Sequence, residues 1–120
     1  MARRILVADD EEPVREILLD TLDMFGYDVL LAEHGEEALR VFQQEKVDLI
    51  LADINMPHMD GLELMTAIRD LNPEVPIVLI TGYDISSLQG KAAVENADGL
   101  ITKPFDIMEL KDLLKKLLGT

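Results

Sequence analysis

Five short aliphatic runs recur along this chain, and each is followed within a few residues by a segment whose apolar side chains repeat at helical spacing. The runs are Ile5-Leu6-Val7-Ala8, Asp28-Val29-Leu30-Leu31-Ala32, Val47-Asp48-Leu49-Ile50-Leu51-Ala52 with Asp53 at its end, Pro76-Ile77-Val78-Leu79-Ile80 and Asp98-Gly99-Leu100-Ile101-Thr102. Their apolar residues are largely continuous, the pattern of strands covered on both faces. Between them, Val14, Ile17, Leu18, Thr21, Leu22 and Phe25 form a first helical stripe, with Pro13 in its first turn and Gly26 as its stop. A second helix runs from about Glu36 to Gln44, with Ala38, Leu39 and Phe42 facing in. Gly61 opens a third, carrying Leu64, Met65, Ile68 and Leu71 and closed by Asn72-Pro73. A fourth, over about 86–95, is weakened by Gly90 and two serines. Asp106 caps the last, whose Ile107, Leu110, Leu113, Leu114 and Leu117 make one stripe. Strand–helix alternation with short connections implies right-handed crossovers and a parallel sheet covered by helices on both faces.

The bulk numbers narrow the chemistry. A chain of 120 residues suits one domain, 1–120, and 48% hydrophobic residues suffice for a core. No linker, repeat or low-complexity segment interrupts it, and the expectation is that no second domain follows the last helix. Met1-Ala2-Arg3-Arg4 runs straight into the first strand, and Asp9 to Glu12 end that apolar stretch too early for a signal peptide. No run is long enough to span a membrane, so a cytoplasmic location without membrane attachment is expected. The absence of cysteine excludes disulfides, thiolate metal sites and thiol nucleophiles. A net charge of −13 repels phosphate backbones and argues against direct nucleic-acid binding.

In a parallel sheet the carboxyl ends of all strands share one edge, where ligands gather. Here those ends carry Asp9 and Asp10, then Asp53, Thr81 and Lys103. Each has an ordinary explanation alone: acids suit a helix N-terminus, threonine a turn, lysine a solvated surface. Together they are complementary. Carboxylates crowded at one point repel and are relieved by a hard divalent cation such as Mg²⁺. A hydroxyl and an ammonium match the remaining needs of a phosphoryl group, and a central carboxylate can be its nucleophile. The inference is phosphoryl transfer to Asp53. Pro104, immediately after Lys103, makes a cis bond possible there.

With these residues in view, the chain resembles the receiver domain of two-component response regulators, the CheY-like fold. The motifs that carry the likeness are Val7-Ala8-Asp9-Asp10-Glu11, Asp53-Ile54-Asn55-Met56-Pro57 with Asp60-Gly61, Thr81-Gly82 and Lys103-Pro104-Phe105. The resemblance implies a five-stranded parallel α/β sheet of order 2-1-3-4-5, flavodoxin-like, with helices on both faces. It implies that Asp53 is the phosphoacceptor, Asp10 a direct Mg²⁺ ligand and Asp9 a second acid acting mainly through water. The Asn55 carbonyl would complete the metal site, and Thr81 and Lys103 would hold phosphoryl oxygens.

The implied donor is a phosphohistidine on a sensor histidine kinase or a histidine phosphotransfer protein. The implied recipient of the signal is a downstream protein or a separate output domain. Catalysis would be limited to self-phosphorylation and autodephosphorylation, with no external substrate turned over. One position departs from the pattern: where the family usually carries Tyr or Phe three residues before the lysine, this chain has Leu100. Any output change is therefore expected in the weak segment 84–95 rather than through a ring flip. The family's output face would include Lys91, Lys111 and Lys115. Tyr83 either leans over the cleft or sits in a surface loop, and His58 is expected in solvent and not as a ligand.

Three other readings meet obstacles. A flavin carrier needs a hydroxyl- and glycine-rich loop after the first strand, where Asp9-Asp10-Glu11-Glu12 would repel a phosphate. A Mg²⁺-dependent aspartyl-phosphate hydrolase usually needs a general acid two residues after the nucleophile, and Asn55 cannot supply the proton. A receiver reduced to a docking scaffold would not need the full set Asp9, Asp10, Asp53, Thr81 and Lys103.

Overall fold

A computed structural model of the chain describes residues 2–82 and 95–119. In chain order the elements are β1 (Arg4–Ala8), α1 (Glu12–Met24), β2 (Asp28–Ala32), α2 (Gly35–Gln44), β3 (Leu49–Asp53), α3 (Gly61–Leu71), β4 (Ile77–Thr81), β5 (Gly99–Thr102) and α4 (Ile107–Leu118). The expected helix over 86–95 lies, but for its last residue, outside the described residues, as do Tyr83 and Lys91. The strands form one parallel sheet in the order β2-β1-β3-β4-β5, the order implied by the resemblance.

Each strand divides its side chains between two apolar layers, because successive residues point to opposite faces. Ile5, Val7, Leu49, Leu51, Val78, Ile80 and Ile101 join Leu18 and Leu22 of α1 and Leu110 and Leu114 of α4 on one side. Leu6, Ala8, Ile50, Ala52, Ile77 and Leu79 join Ala38 of α2 and Leu64 and Ile68 of α3 on the other. All five residues of β3 are buried, as expected for the central strand. It starts at Leu49, two residues later than the apolar run, because Asp48 is a clasp: its carboxylate takes the Arg4 N–H at 2.8 Å.

The helix boundaries have local causes. Past Phe25, Gly26 adopts φ +93°, while the Tyr27 N–H reaches Leu22 O and the Gly26 N–H reaches Asp23 O. That pair of bonds satisfies the last carbonyls of α1 and requires a residue tolerant of positive φ. Asp106 accepts from the N–H groups of Met108 and Glu109, as its position suggested. Two caps escaped the sequence reading. Asp60 and Glu63 form a reciprocal capping box on α3. His34 caps α2, its Nδ1 accepting from the Glu37 N–H at 3.1 Å.

The loop after β3 returns very tightly, and glycine permits it. A Cβ on Gly61 would stand 2.4 Å from the Asp53 carbonyl oxygen, and one on Gly35 would stand 2.5 Å from Met59 O. The starts of α2 and α3 therefore clamp the segment that follows Asp53. The obstructing atoms are backbone, so they cannot swing aside. Gly61→Ala is expected to lower unfolding free energy by about 2–4 kcal/mol, measured by urea denaturation. An unchanged midpoint would mean that the loop is free to withdraw from β3.

Candidate functional site

One alternation brings three charged residues to the same place. Asp9 continues the series Ile5, Val7; Asp53 continues Leu49, Leu51; and Lys103 continues Ile101, all facing the α1–α4 layer. The ladder extends one residue beyond the formal strand ends, since Asp9 N–H bonds Ala32 O at 3.1 Å and Lys103 N–H bonds Thr81 O at 2.8 Å. Period-two geometry thus holds up to the charged residues themselves, and their side chains converge above α1.

The Lys103 ammonium is the hub. Its Nζ donates to Asp53 Oδ2 at 2.8 Å, lies 3.2 Å from Asp9 Oδ2 and donates to Glu11 Oε1 at 3.3 Å. Asp53 is fixed from its other side as well, with Oδ1 accepting the Asn55 N–H at 2.8 Å. Asp9 Oδ1 accepts the Glu11 N–H at 2.9 Å, and Arg15 of α1 donates to the Asp9 carbonyl oxygen. The side chains of Asp9 and Asp53 are 0% and 3% exposed, that of Lys103 20%, and that of Glu11 59%. Deep carboxylates, a largely covered cation and an outer carboxylate form a graded entrance.

Electrostatics reflect that gradient. Burial is the main force raising Asp9 to about 6, with the Asp53 charge adding to it against the opposing Glu11 N–H and Lys103. Burial alone would push the Lys103 ammonium down, but its hydrogen bond to Asp53 and the charges of Asp53 and Asp9 reverse this and raise it.

The donor set fits a hard divalent cation. Asp9, Asp10, Glu11 and Asp53 each offer an oxygen, all within 4.8 Å of one another. Asp9 Oδ2 is fully buried and accepts no hydrogen bond; the Lys103 contact at 3.2 Å is an ion pair without hydrogen-bond alignment. An orphaned buried acceptor beside three further carboxylates is the arrangement that a cation with oxygen ligands relieves.

The remaining expected residues fall as follows. Thr81, buried, ends β4 one position past Ile80, the residue paired with Asp53, and so stands at the same sheet edge. Asp10 is exposed within the acidic group, and Asn55 is exposed in the loop after Asp53. The Lys103–Pro104 peptide is cis. His58 is exposed, as expected, with φ +69° and its ring 6.4 Å from that of His34. Leu100 packs in the opposite layer, against the α2–α3 core. Lys111 lies over the Phe25 ring at 5.5 Å. Sequence reasoning passed over Glu11 as one acid in a run; its place at the N-cap of α1, two residues after Asp9, was the available signal.

Comparison with known proteins agrees with this geometry. The family model of the response regulator receiver domain matches residues 5–115. The chain is 37% identical over 118 residues to the alkaline phosphatase synthesis transcriptional regulatory protein PhoP of Bacillus subtilis, covering 98% of this chain and 49% of that protein. It is 34% identical over 116 residues to the response regulator protein FleR of Pseudomonas aeruginosa, covering 97% of this chain and 24% of that protein. The chain thus spans half or less of the length of these relatives. Among solved structures, the response regulator protein TrrA of Thermotoga maritima in complex with Mg²⁺–BeF superposes with a TM-score of 0.88 at 41% identity, covering 97% of this chain and 99% of that one. Chemotaxis protein CheY4 of Vibrio cholerae gives 0.90 at 32% identity, covering 98% and 100%. This chain belongs to the response regulator receiver domain family.

The position of Asp9 has a thermodynamic consequence. A carboxyl raised from 3.8 to about 6 on folding adds stability that is full below its unfolded value and is lost as pH rises through 6. In chelator, Asp9→Asn is expected to be about 1–2 kcal/mol more stable than the native chain at pH 7.5, with the difference shrinking towards pH 4. Urea titrations at the two pH values measure this. A pH-independent difference would show that Asp9 carries no such burden.

Proposed function

We propose that this receiver domain, spanning 1–120, accepts a phosphoryl group on Asp53 from a phosphohistidine of a sensor histidine kinase or histidine phosphotransfer protein. The observation that carries the reading is the 2.8 Å contact between Lys103 Nζ and Asp53 Oδ2, inside an acidic cluster that leaves Asp9 Oδ2 unsatisfied. A purely structural site would not bury carboxylates in excess of their cations, because each uncompensated charge costs stability.

In the proposed step, an Asp53 carboxylate oxygen bonds to phosphorus as the P–N bond of the donor breaks. The electron pair leaves with the imidazole nitrogen. Lys103 then holds one phosphoryl oxygen through its ammonium, and the Thr81 hydroxyl donates to another. The Asn55 N–H orients the Asp53 carboxylate from the far side. Asp9, Asp10, Asp53 and the Asn55 carbonyl would hold Mg²⁺, which neutralises charge on the transferring group. The Mg²⁺–BeF complex of the similar TrrA protein supports this choice of ion.

The partner is read from the neighbouring surface. Val14 and Ile17 of α1 face Pro104, Phe105 and Ile107 across an apolar groove that reaches Lys103, and Ile17 is 54% exposed. A helix bearing the phosphohistidine would lie along this groove with its imidazole at the site. The signal passes to a downstream protein or to a separate output domain, in keeping with the greater length of the relatives. Such a donor is made from ATP, so the reading also puts the chain in the cytoplasm.

With Mg²⁺ and phosphoramidate, intact-mass measurement is expected to find one added phosphoryl group on the native chain and none on Asp53→Asn; equal labelling of both would sink the assignment. Ile17→Glu is expected to slow transfer from a phosphohistidine protein about tenfold or more while leaving the phosphoramidate reaction intact. Equal rates from the protein donor would remove the groove from the reading.

A further inference from the structure

We infer that Glu11 selects among phosphoryl donors: its carboxylate, paired with Lys103 at the outer edge of the site, disfavours dianionic acyl phosphates relative to donors that lose a nitrogen leaving group. The inference rests on Asp53 being the phosphoacceptor and concerns which substrates reach it.

Three carboxylates contact the Lys103 ammonium, and they differ in depth. Those of Asp9 and Asp53 are 0% and 3% exposed, whereas that of Glu11 is 59% exposed. Glu11 is therefore the solvent-side partner of the one cation that, among the described residues, contacts these carboxylate side chains. A phosphoryl group bound for Asp53 approaches the Lys103 ammonium on the side where Glu11 sits, at close range to its negative charge. The Glu11 backbone is held in place, its N–H bonded to Asp9 Oδ1 at 2.9 Å and its residue at the N-cap position of α1. Its Oε1, 3.3 Å from Lys103 Nζ, puts the charge at the entrance.

The cost of passing that charge scales with the charge of the donor. Near neutral pH acetyl phosphate is a dianion, while phosphoramidate, protonated on nitrogen, carries one net negative charge. In both transfers an Asp53 oxygen forms the new O–P bond. With phosphoramidate the P–N bond breaks, the pair stays on nitrogen and ammonia leaves. With acetyl phosphate the P–O bond breaks and acetate leaves with the pair. A phosphoimidazole protonated on its other ring nitrogen has the same net charge as phosphoramidate and likewise loses a neutral nitrogen base. Glu11 thereby discriminates against dianionic acyl phosphates relative to a nitrogen-linked donor of lower net negative charge.

The test measures second-order rate constants for both small donors at saturating Mg²⁺ and low salt, for the native chain, Glu11→Gln and Glu12→Gln. Glu12 lies in the first turn of α1, without a contact to Lys103 among the described residues. Glu11→Gln is expected to raise the acetyl phosphate to phosphoramidate ratio about three- to tenfold, and added salt to narrow that gap. Glu12→Gln is expected to leave the ratio within about twofold of native. An unchanged ratio in Glu11→Gln, or an equal rise in Glu12→Gln, overturns the role of Glu11. Failure of the native chain to take up phosphoryl groups from either donor would instead overturn the phosphoacceptor reading itself.

Discussion

A single ammonium holds the site together. Lys103 stands 2.8 Å from Asp53, 3.2 Å from Asp9 and 3.3 Å from Glu11, and no other cation contacts those three carboxylate side chains among the described residues. The arrangement is balanced only in part. One positive charge cannot satisfy three negative ones, and the deepest oxygen, Asp9 Oδ2, is left without a hydrogen bond. Folding therefore leaves a localised negative deficit at the sheet edge, maintained by the apolar core beneath it. Such a deficit favours the uptake of a cation with oxygen ligands at that edge.

The scaffold produces this deficit by simple geometry. Parallel strands put all their carboxyl ends on one edge, and period-two alternation turns Asp9, Asp53 and Lys103 toward the α1–α4 layer. Depth follows from position. Asp53 ends the central strand and is nearly closed off, while Glu11, already outside β1, stays in solvent. The loop after β3 is held close by Gly35 and Gly61, so the Asn55 N–H can reach back to Asp53 Oδ1. Rigid strands beneath and a clamped loop above define the carboxylate from both sides.

Most of this was legible because the decisive signals are local. Aliphatic runs, helical stripes and the residues at strand ends can be counted along the chain, and the right-handed crossover rule converts them into a shared edge. What was not legible depends on distances across the fold. Glu11 looked like one of four successive acids until α1 and β5 were placed together and Lys103 reached it. His34 as a helix cap is equally invisible, since histidine is seldom chosen there and only the 3.1 Å bond to Glu37 reveals it. The late start of β3 had a similar cause: Asp48 interrupts an apolar run because its carboxylate serves the neighbouring strand.

The position of Leu100 bears on how a change at Asp53 can travel. Leu100 sits in the α2–α3 layer, whereas Lys103 turns toward α1 and α4, so the two lie on opposite faces of β5 and its extension. An aliphatic side chain has no polar tip with which to follow a hydroxyl, and its packing partners are apolar. Among the described residues, the ends of β3, β4 and β5 are linked by the backbone bonds Ile54 N–H to Ile80 O and Lys103 N–H to Thr81 O and by the 2.8 Å contact of Lys103 Nζ with Asp53 Oδ2. A pull on the Lys103 ammonium is thus a pull on the strand end that also carries Thr81. Ladder bonds hold neighbouring strand ends together, so Thr81 and Lys103 are joined through the main chain without an aromatic intermediary. With Leu100 in the usual aromatic position, the main-chain bonds and the Lys103–Asp53 contact are what join this part of the sheet edge among the described residues.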